Sequence, residues 1–172
     1  MQVEIQKAHA ASGARVAAGQ DLSVRVPATS ANLGPGFDSL GLAVTLYDTV
    51  RVRTTDSDGI RVRVAGEGAA VLPTDETHLV ARTIVDTIRR AGYAAGGFEL
   101  ECENVIPHGR GLGSSASAIV SGVLAGNALL PPSARLDAAG LLHACSALEG
   151  HPDNVAPALA GALAVSWEQE GV

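Results

Sequence analysis

Three short stretches carry the residue types that could do chemistry. The first is Pro107-His108-Gly109-Arg110-Gly111-Leu112-Gly113-Ser114-Ser115-Ala116. Three alternating glycines let a backbone bend closely around an anion, and two hydroxyls then open a run of small residues that reads as a helix. The first turn of such a helix offers free N–H groups and the positive end of its dipole. Ser114 and Ser115 add hydroxyls that could meet a phosphate or its Mg²⁺. The stretch lacks the lysine of a Walker loop and fits a dinucleotide fingerprint poorly. It is a phosphate cradle or, alternatively, a glycine-rich loop closed by an N-cap serine.

The second stretch, Ser30 to Gly41, places Asn32 and Asp38 six residues apart in a glycine- and proline-bearing segment. An amide and a carboxylate there could bind the hydroxyl and amine of a small polar substrate, or could bond their own turn. The third, Glu149-Gly150-His151-Pro152-Asp153-Asn154, packs four polar side chains behind an apolar helix. Glu149 could hold Mg²⁺, which takes carboxylate and phosphate oxygens. His151 could bond a substrate, and Asp153 or Asn154 could cap the helix that starts at Val155. His9, His78, His108 and His143 receive ordinary roles.

The elements that must position these loops follow from hydrophobic period. Leu22, Val24 and Val26 alternate as a strand stopped by Pro27, and Ala28–Gly41 reads as a structured loop. Strands over 44–54 and from Ile60 to Val64 flank Asp56-Ser57-Asp58-Gly59, which predicts a hairpin. Thr74 or Asp75 caps a helix running to about Arg90, and Gly92 ends it. Phe98, Leu100 and Cys102 alternate with three glutamates as a further strand. Helices follow the glycine loop to about Leu129, from a Ser133 cap to Leu148, and near 155–159; a strand covers 162–167. The mixture is α+β.

Composition removes other classes. The 172 residues carry 12 basic and 18 acidic side chains, a net charge of −6, with Lys7 the single lysine. That is a poor match for a nucleic-acid backbone. No apolar run is long enough to span a bilayer, so the expected setting is cytoplasmic, without membrane contact. Cys102 and Cys145 read as buried reduced thiols. Residues 1–20 read as a loose N-terminal extension ahead of a domain over 21–172. The final Glu168–Val172 resembles a turn leaving a strand, as in a fragment of a longer chain.

Taken together, PATSANLGPGFDSLGLAV at 27–44, PHGRGLGSSASAIVSG at 107–122 and EGHPDNVAPALAG at 149–161 resemble the homoserine kinases of the GHMP small-molecule kinase superfamily. The resemblance implies that superfamily's N-terminal ATP-binding domain, which is ribosomal protein S5 domain 2-like, a mixed sheet packed against helices. It implies transfer of the ATP γ-phosphate to the hydroxyl of L-homoserine, giving O-phospho-L-homoserine on the way to threonine. It places Pro107, Arg110, Gly111, Leu112, Gly113, Ser114 and Ser115 on ATP, and Ser115 and Glu149 at Mg²⁺. Asn32, Asp38, His151 and Asn154 become homoserine contacts, with Asn154 and Glu149 the catalytic pair. Mevalonate-kinase relatives carry an aspartate base where Asn154 stands. An amide takes no proton, so catalysis here would rest on positioning and electrostatics. The family's second, ferredoxin-like half supplies arginines to the substrate carboxylate. No segment after Gly161 does so, and this chain is expected to bind ATP weakly and to be inactive alone. Another GHMP kinase, of mevalonate or sugar type, and a non-catalytic nucleotide-binding protein are the alternatives; a homodimer is compatible with either.

Overall fold

A computed structural model describes residues 13–167. Five strands, β1 (Asp21–Leu33), β2 (Gly36–Thr55), β3 (Ile60–Gly66), β4 (Gly97–Asn104) and β5 (Leu163–Val165), form one sheet. Its order is β1-β2-β4-β3, with β5 paired to β2. The helices are α1 (Leu79–Arg90), α2 (Ser114–Leu129), α3 (Ala138–Glu149) and α4 (Val155–Ala160). The class is the α+β expected, a mixed sheet packed against helices.

Period-two alternation fixes the sheet's two faces. Val50, Val52, Val62, Phe98, Leu100 and Cys102 point inward and pack on Val80, Ala81, Ile84 and Ile88 of α1 and on Ala125 and Leu129 of α2. On the outer face Arg51 and Arg53 register with Glu101 and Glu99, and Arg61 and Arg63 register with the same glutamates from the other side. The alternating arginines are thus a charged ladder with opposite signs on neighbouring strands. A second core lies under β1, where Val26 meets Ile119 and Val123 of α2, Cys145 of α3 and Val155 of α4. The helix α2 is made of small residues because it runs close to α1. A side chain at Gly122 or Gly126 would strike Thr83 or Thr87.

Several expectations need correction. The turn at 56–59 does not close a two-stranded hairpin: β3 pairs in parallel with β4, and β4 lies between β3 and β2. Local turn chemistry signals a reversal but cannot tell which strand later fills the gap. The segment 28–41 is not a loop but the far half of a long β1–β2 hairpin, paired from Ala28↔Val44 to Leu33↔Gly36. A register shift between Pro27 and Ala28 lets the ladder continue past the proline. Neither Thr74 nor Asp75 caps α1. Its N-cap is His78, and Asp75 accepts hydrogen bonds from Thr77 N and Oγ1. The third helix starts at Ala138 behind Asp137, whose side chain accepts from Gly140 N, while 132–134 form a separate 3₁₀ turn.

Residues 13–20 are not loose. Val16 is buried in the main core, its N–H donates to Ala94 O at 3.0 Å, and Gln20 N donates to Thr54 Oγ1 at 2.9 Å. The rest of that extension, and the terminal 168–172, lie outside the described residues. No helix among the described residues is long and apolar enough to cross a membrane.

Candidate active site

The glycine loop leaves β4, turns with left-handed φ at Gly109, Gly111 and Gly113, and enters α2 at Ser114. Gly113 is the N-cap, and no side chain caps the helix. The serines therefore do not serve as the cap. They occupy the first turn, whose amides have no intrahelical acceptor. A side-chain carbon added at Gly111 would meet nothing within 4 Å, so the loop is open on that side. At Gly113 the same carbon would fall 2.0 Å from Thr29 Oγ1 and 3.1 Å from Asn154 Oδ1. Only glycine fits there. Leu112 is tied to β1, its carbonyl accepting from Thr29 N at 3.0 Å. Pro107 is half-buried at the loop's entrance and Arg110 is exposed at its crest.

Beside the loop lies a cavity of about 280 Å³ between the first turns of α1 and α2 and the sheet. Val50, Leu72, Leu79, Val80 and Ala118 line it together with Asp48, His78, Asn104, His108, Ser114, Ser115 and Ser121. His78 is buried, and its Nδ1 has no hydrogen-bond partner. Burial pushes its pKa below the ordinary range, so the ring stays neutral. His78 and His108, given no special role from sequence, both belong to this wall.

Ser115 Oγ donates to Glu149 Oε2 at 3.0 Å. The two residues expected at the metal are thus brought together from opposite ends of different helices. Glu149 closes α3 and Ser115 opens α2. A carboxylate at a helix C-terminus is electrostatically disfavoured until a cation joins it. No group of three or more His, Cys, Asp and Glu gathers among the described residues. One carboxylate and one hydroxyl, completed by phosphate oxygens, suit a hard ion such as Mg²⁺.

The other side of Gly113 is a side-chain network centred on Asp153, buried to 1% exposure. Asp153 Oδ2 accepts from Asn32 Nδ2 at 3.1 Å, and Oδ1 accepts from Asn154 N at 2.9 Å. Oδ1 also bonds His151 Nδ1, leaving that half-exposed ring's other nitrogen free of this bond. Thr29 Oγ1 donates to Asn154 Oδ1 at 2.9 Å. Asn32 Oδ1 accepts from Asp38 N at 2.8 Å. Asn32 and Asp38 both hold positive φ, a conformation that short polar side chains tolerate at some cost. Asn154 is the N-cap residue of α4 but its side chain makes no capping bond. Neither Asp153 nor Asn154 has the capping role that was open to them.

Asn32, His151 and Asn154 therefore meet in one cluster around Asp153, whereas Asp38 joins it only through its backbone N–H and its side chain is exposed; Glu149 and Ser115 pair on the loop side. Thr29 and Asp153 were missed as site residues. Both lie inside the motifs, but the bonds that tie the two motifs together, Thr29 to Asn154 and Asn32 to Asp153, span more than a hundred residues of sequence.

Residues 78–162 match the family described as GHMP kinases N terminal domain. The chain is 53% identical over 152 residues to a homoserine kinase of Clavibacter michiganensis, covering 88% of this chain and 48% of that protein. A homoserine kinase of Streptomyces coelicolor is 53% identical over 149 residues, covering 86% and 48%. A crystal structure of homoserine kinase from Cytophaga hutchinsonii superposes with TM-score 0.73 at 34% identity, over 86% of this chain and 49% of that one. A mevalonate kinase of Methanococcus jannaschii, at TM-score 0.66 and 15% identity over 84% and 53%, shares the fold. The chain spans about half the length of the curated relatives it matches.

Proposed function

The chain belongs to the GHMP kinase family, in its homoserine kinase branch, and from that membership and the site geometry we propose that the whole protein transfers the γ-phosphate of Mg-ATP to the hydroxyl of L-homoserine. The single observation that carries the reading is the position of Gly113. It separates an open anion seat from a part-buried polar network by the thickness of one backbone. A phosphoryl group and an alcohol placed on its two sides would be neighbours.

In this reading the amides of Gly111–Ser115 cradle the phosphates, Pro107, Arg110 and Leu112 shape the cradle, and the cavity wall takes the base. Ser115 and Glu149 would hold Mg²⁺, which when bound supplies positive charge to the phosphate oxygens. Asn32, Asp38, His151 and Asn154 contact the amino alcohol. The hydroxyl oxygen forms the new bond to phosphorus, the bond to the ADP oxygen breaks, and the hydroxyl proton leaves with solvent or phosphate. Thr29 holds the Asn154 carboxamide in one orientation, so Asn154 orients the hydroxyl without taking its proton. The protein's work is positioning and charge stabilisation. The product would be O-phospho-L-homoserine, an intermediate of threonine biosynthesis, and the setting cytoplasmic. The domain reading places ATP binding in this part and the rest of the substrate site in the remainder of the longer protein.

The test is ADP release by the full-length protein with Mg-ATP and L-homoserine, mevalonate or galactose. Release with homoserine alone supports the proposal. Release with mevalonate or galactose instead moves the chain to another GHMP activity. Nucleotide binding without release on any of the three leaves a binding protein and overturns it.

A further inference from the structure

We propose that Asp48 is the positioning residue that fixes the entrance of the glycine loop, and that nucleotide affinity depends on the two backbone hydrogen bonds its carboxylate accepts there. The inference rests on the reading of 107–115 as a phosphate seat. Asp48 stands on β2 next to Thr49, whose partner Glu103 is the last residue of β4 in that ladder. Beyond it the chain leaves the β2 edge, and the amides of Val105 and Ile106 lose their strand partner. Asp48 Oδ1 accepts both, at 2.7 Å and 2.9 Å. Ile106 is fully buried and Asp48 is 6% exposed, so water is a poor substitute at Ile106. Pro107 follows and has no N–H. The last two donors before the loop thus end on one carboxylate oxygen.

Asp48 also shares the cavity wall with Ser114 and Ser115 at the loop's exit. Ser117, in the first turns of α2, lies close enough to favour the charged carboxylate, though its buried Oγ forms no completed hydrogen bond. Burial pushes the Asp48 pKa up, and the two amides oppose that push. A charged acceptor holds two N–H groups more tightly than a neutral one. A loop with three left-handed glycines, two of them in open space, needs such a fixed root to keep one shape. Thr29 anchors the same loop near its other end, through Leu112.

The experiment compares the full chain with Asp48→Ala and Asp48→Asn, reading Mg-ATP affinity by calorimetry and amide hydrogen exchange across 98–117. D48A should weaken Mg-ATP binding by about tenfold or more. It should also speed exchange at Val105, Ile106 and 109–113 while Leu100 and Cys102 keep their rates. D48N retains an acceptor oxygen and should recover part of both. Unchanged affinity in D48A, or equal acceleration throughout β4, overturns the proposal. If D48A does not fold, D48N decides: exchange at Val105 and Ile106 must rise above that at Leu100 and Cys102, and equal rates overturn it. A wild-type chain with no affinity for Mg-ATP removes the phosphate reading and this proposal together. Wild-type binding that D48A leaves unaltered removes the Asp48 role alone.

Discussion

The two sides of Gly113 are built on different principles. The loop side is a run of backbone from one continuous segment, open above Gly109 and Gly111 and anchored at its ends by Asp48 and Thr29. The opposite side is built from side chains of two distant regions, the β1–β2 hairpin and the residues before α4, joined through Asp153. A backbone cradle recognises any phosphate chain. A network of oriented amides and a carboxylate recognises one arrangement of hydroxyl and amine. The contrast predicts that generic nucleotide binding and specific alcohol recognition can be damaged separately.

The largest separation should come from Asp153→Asn. Four donors converge on this buried carboxylate: Asn32 Nδ2, Asn154 N, His151 Nδ1 and, at 3.5 Å, Asn154 Nδ2. A carboxamide has one acceptor oxygen and brings two donors of its own, so at least one donor pair is forced together in the interior. In the full-length protein, kcat/KM for L-homoserine should fall about a hundredfold or more, while Mg-ATP affinity stays within about threefold. Steady-state kinetics with each substrate varied in turn measures both. Equal losses for the two substrates would mean that the two sides act as one unit.

A substitution at the boundary should injure both. Gly113→Ala meets left-handed strain of about 1–2 kcal/mol as well as the collision with Thr29. Gly111→Ala meets similar strain but open space. G113A should therefore raise KM for both Mg-ATP and homoserine, and G111A should raise that for Mg-ATP alone. If G111A and G113A behave identically, the collision with Thr29 is relieved at no cost and Gly113 is not the partition.

This asymmetry also explains what sequence could show. The glycine loop and the hydroxyls after it were legible because they sit in one compact motif, whereas the pairing of Ser115 with Glu149, 34 residues apart, followed only from the family resemblance. The inner valines and outer arginines of the sheet were legible because alternation reports facing. Strand order was not. Whether β3 pairs with β2 or stands beyond β4 depends on α1 carrying the chain across, and the turn at 56–59 looks the same either way. The bonds of Thr29 to Asn154 and of Asn32 to Asp153 were invisible for the same reason, since they exist only once the hairpin packs against the residues before α4. Pro27 misled by local rule: a proline ends a ladder only where its N–H is needed, and the register shift beside it removes that need.

Glu149→Gln sharpens the loop side further. The carboxamide can still accept from Ser115 Oγ, so folding should change little. It loses the charge that would oppose a divalent ion. The Mg²⁺ concentration for half-maximal velocity should rise about tenfold, with homoserine KM unaffected. A variant with wild-type Mg²⁺ dependence would move the metal away from this pair.

The smallest effect concerns His78, whose neutral ring lines the cavity on the loop side. The folded state resists protonating it, whereas the unfolded chain takes the proton at the ordinary 6.5. Between the two pKa values the unfolded state holds the extra proton, so stability is fully present above 6.5 and declines as pH falls below it. Asp48 works in the opposite sense, because its raised pKa favours the folded state on acidification. Exposed Asp21, held down to about 2 chiefly by its hydrogen bond to Arg51, with Arg53 adding to it, titrates far lower. Asp21 therefore contributes nothing to the slope in the range where His78 titrates, and because Asp48 is common to both chains, the difference between wild type and His78→Asn isolates the imidazole. Tm followed between about pH 8 and pH 5 should fall more steeply in the wild type. A variant with the same slope would show that burial of this ring carries no proton linkage.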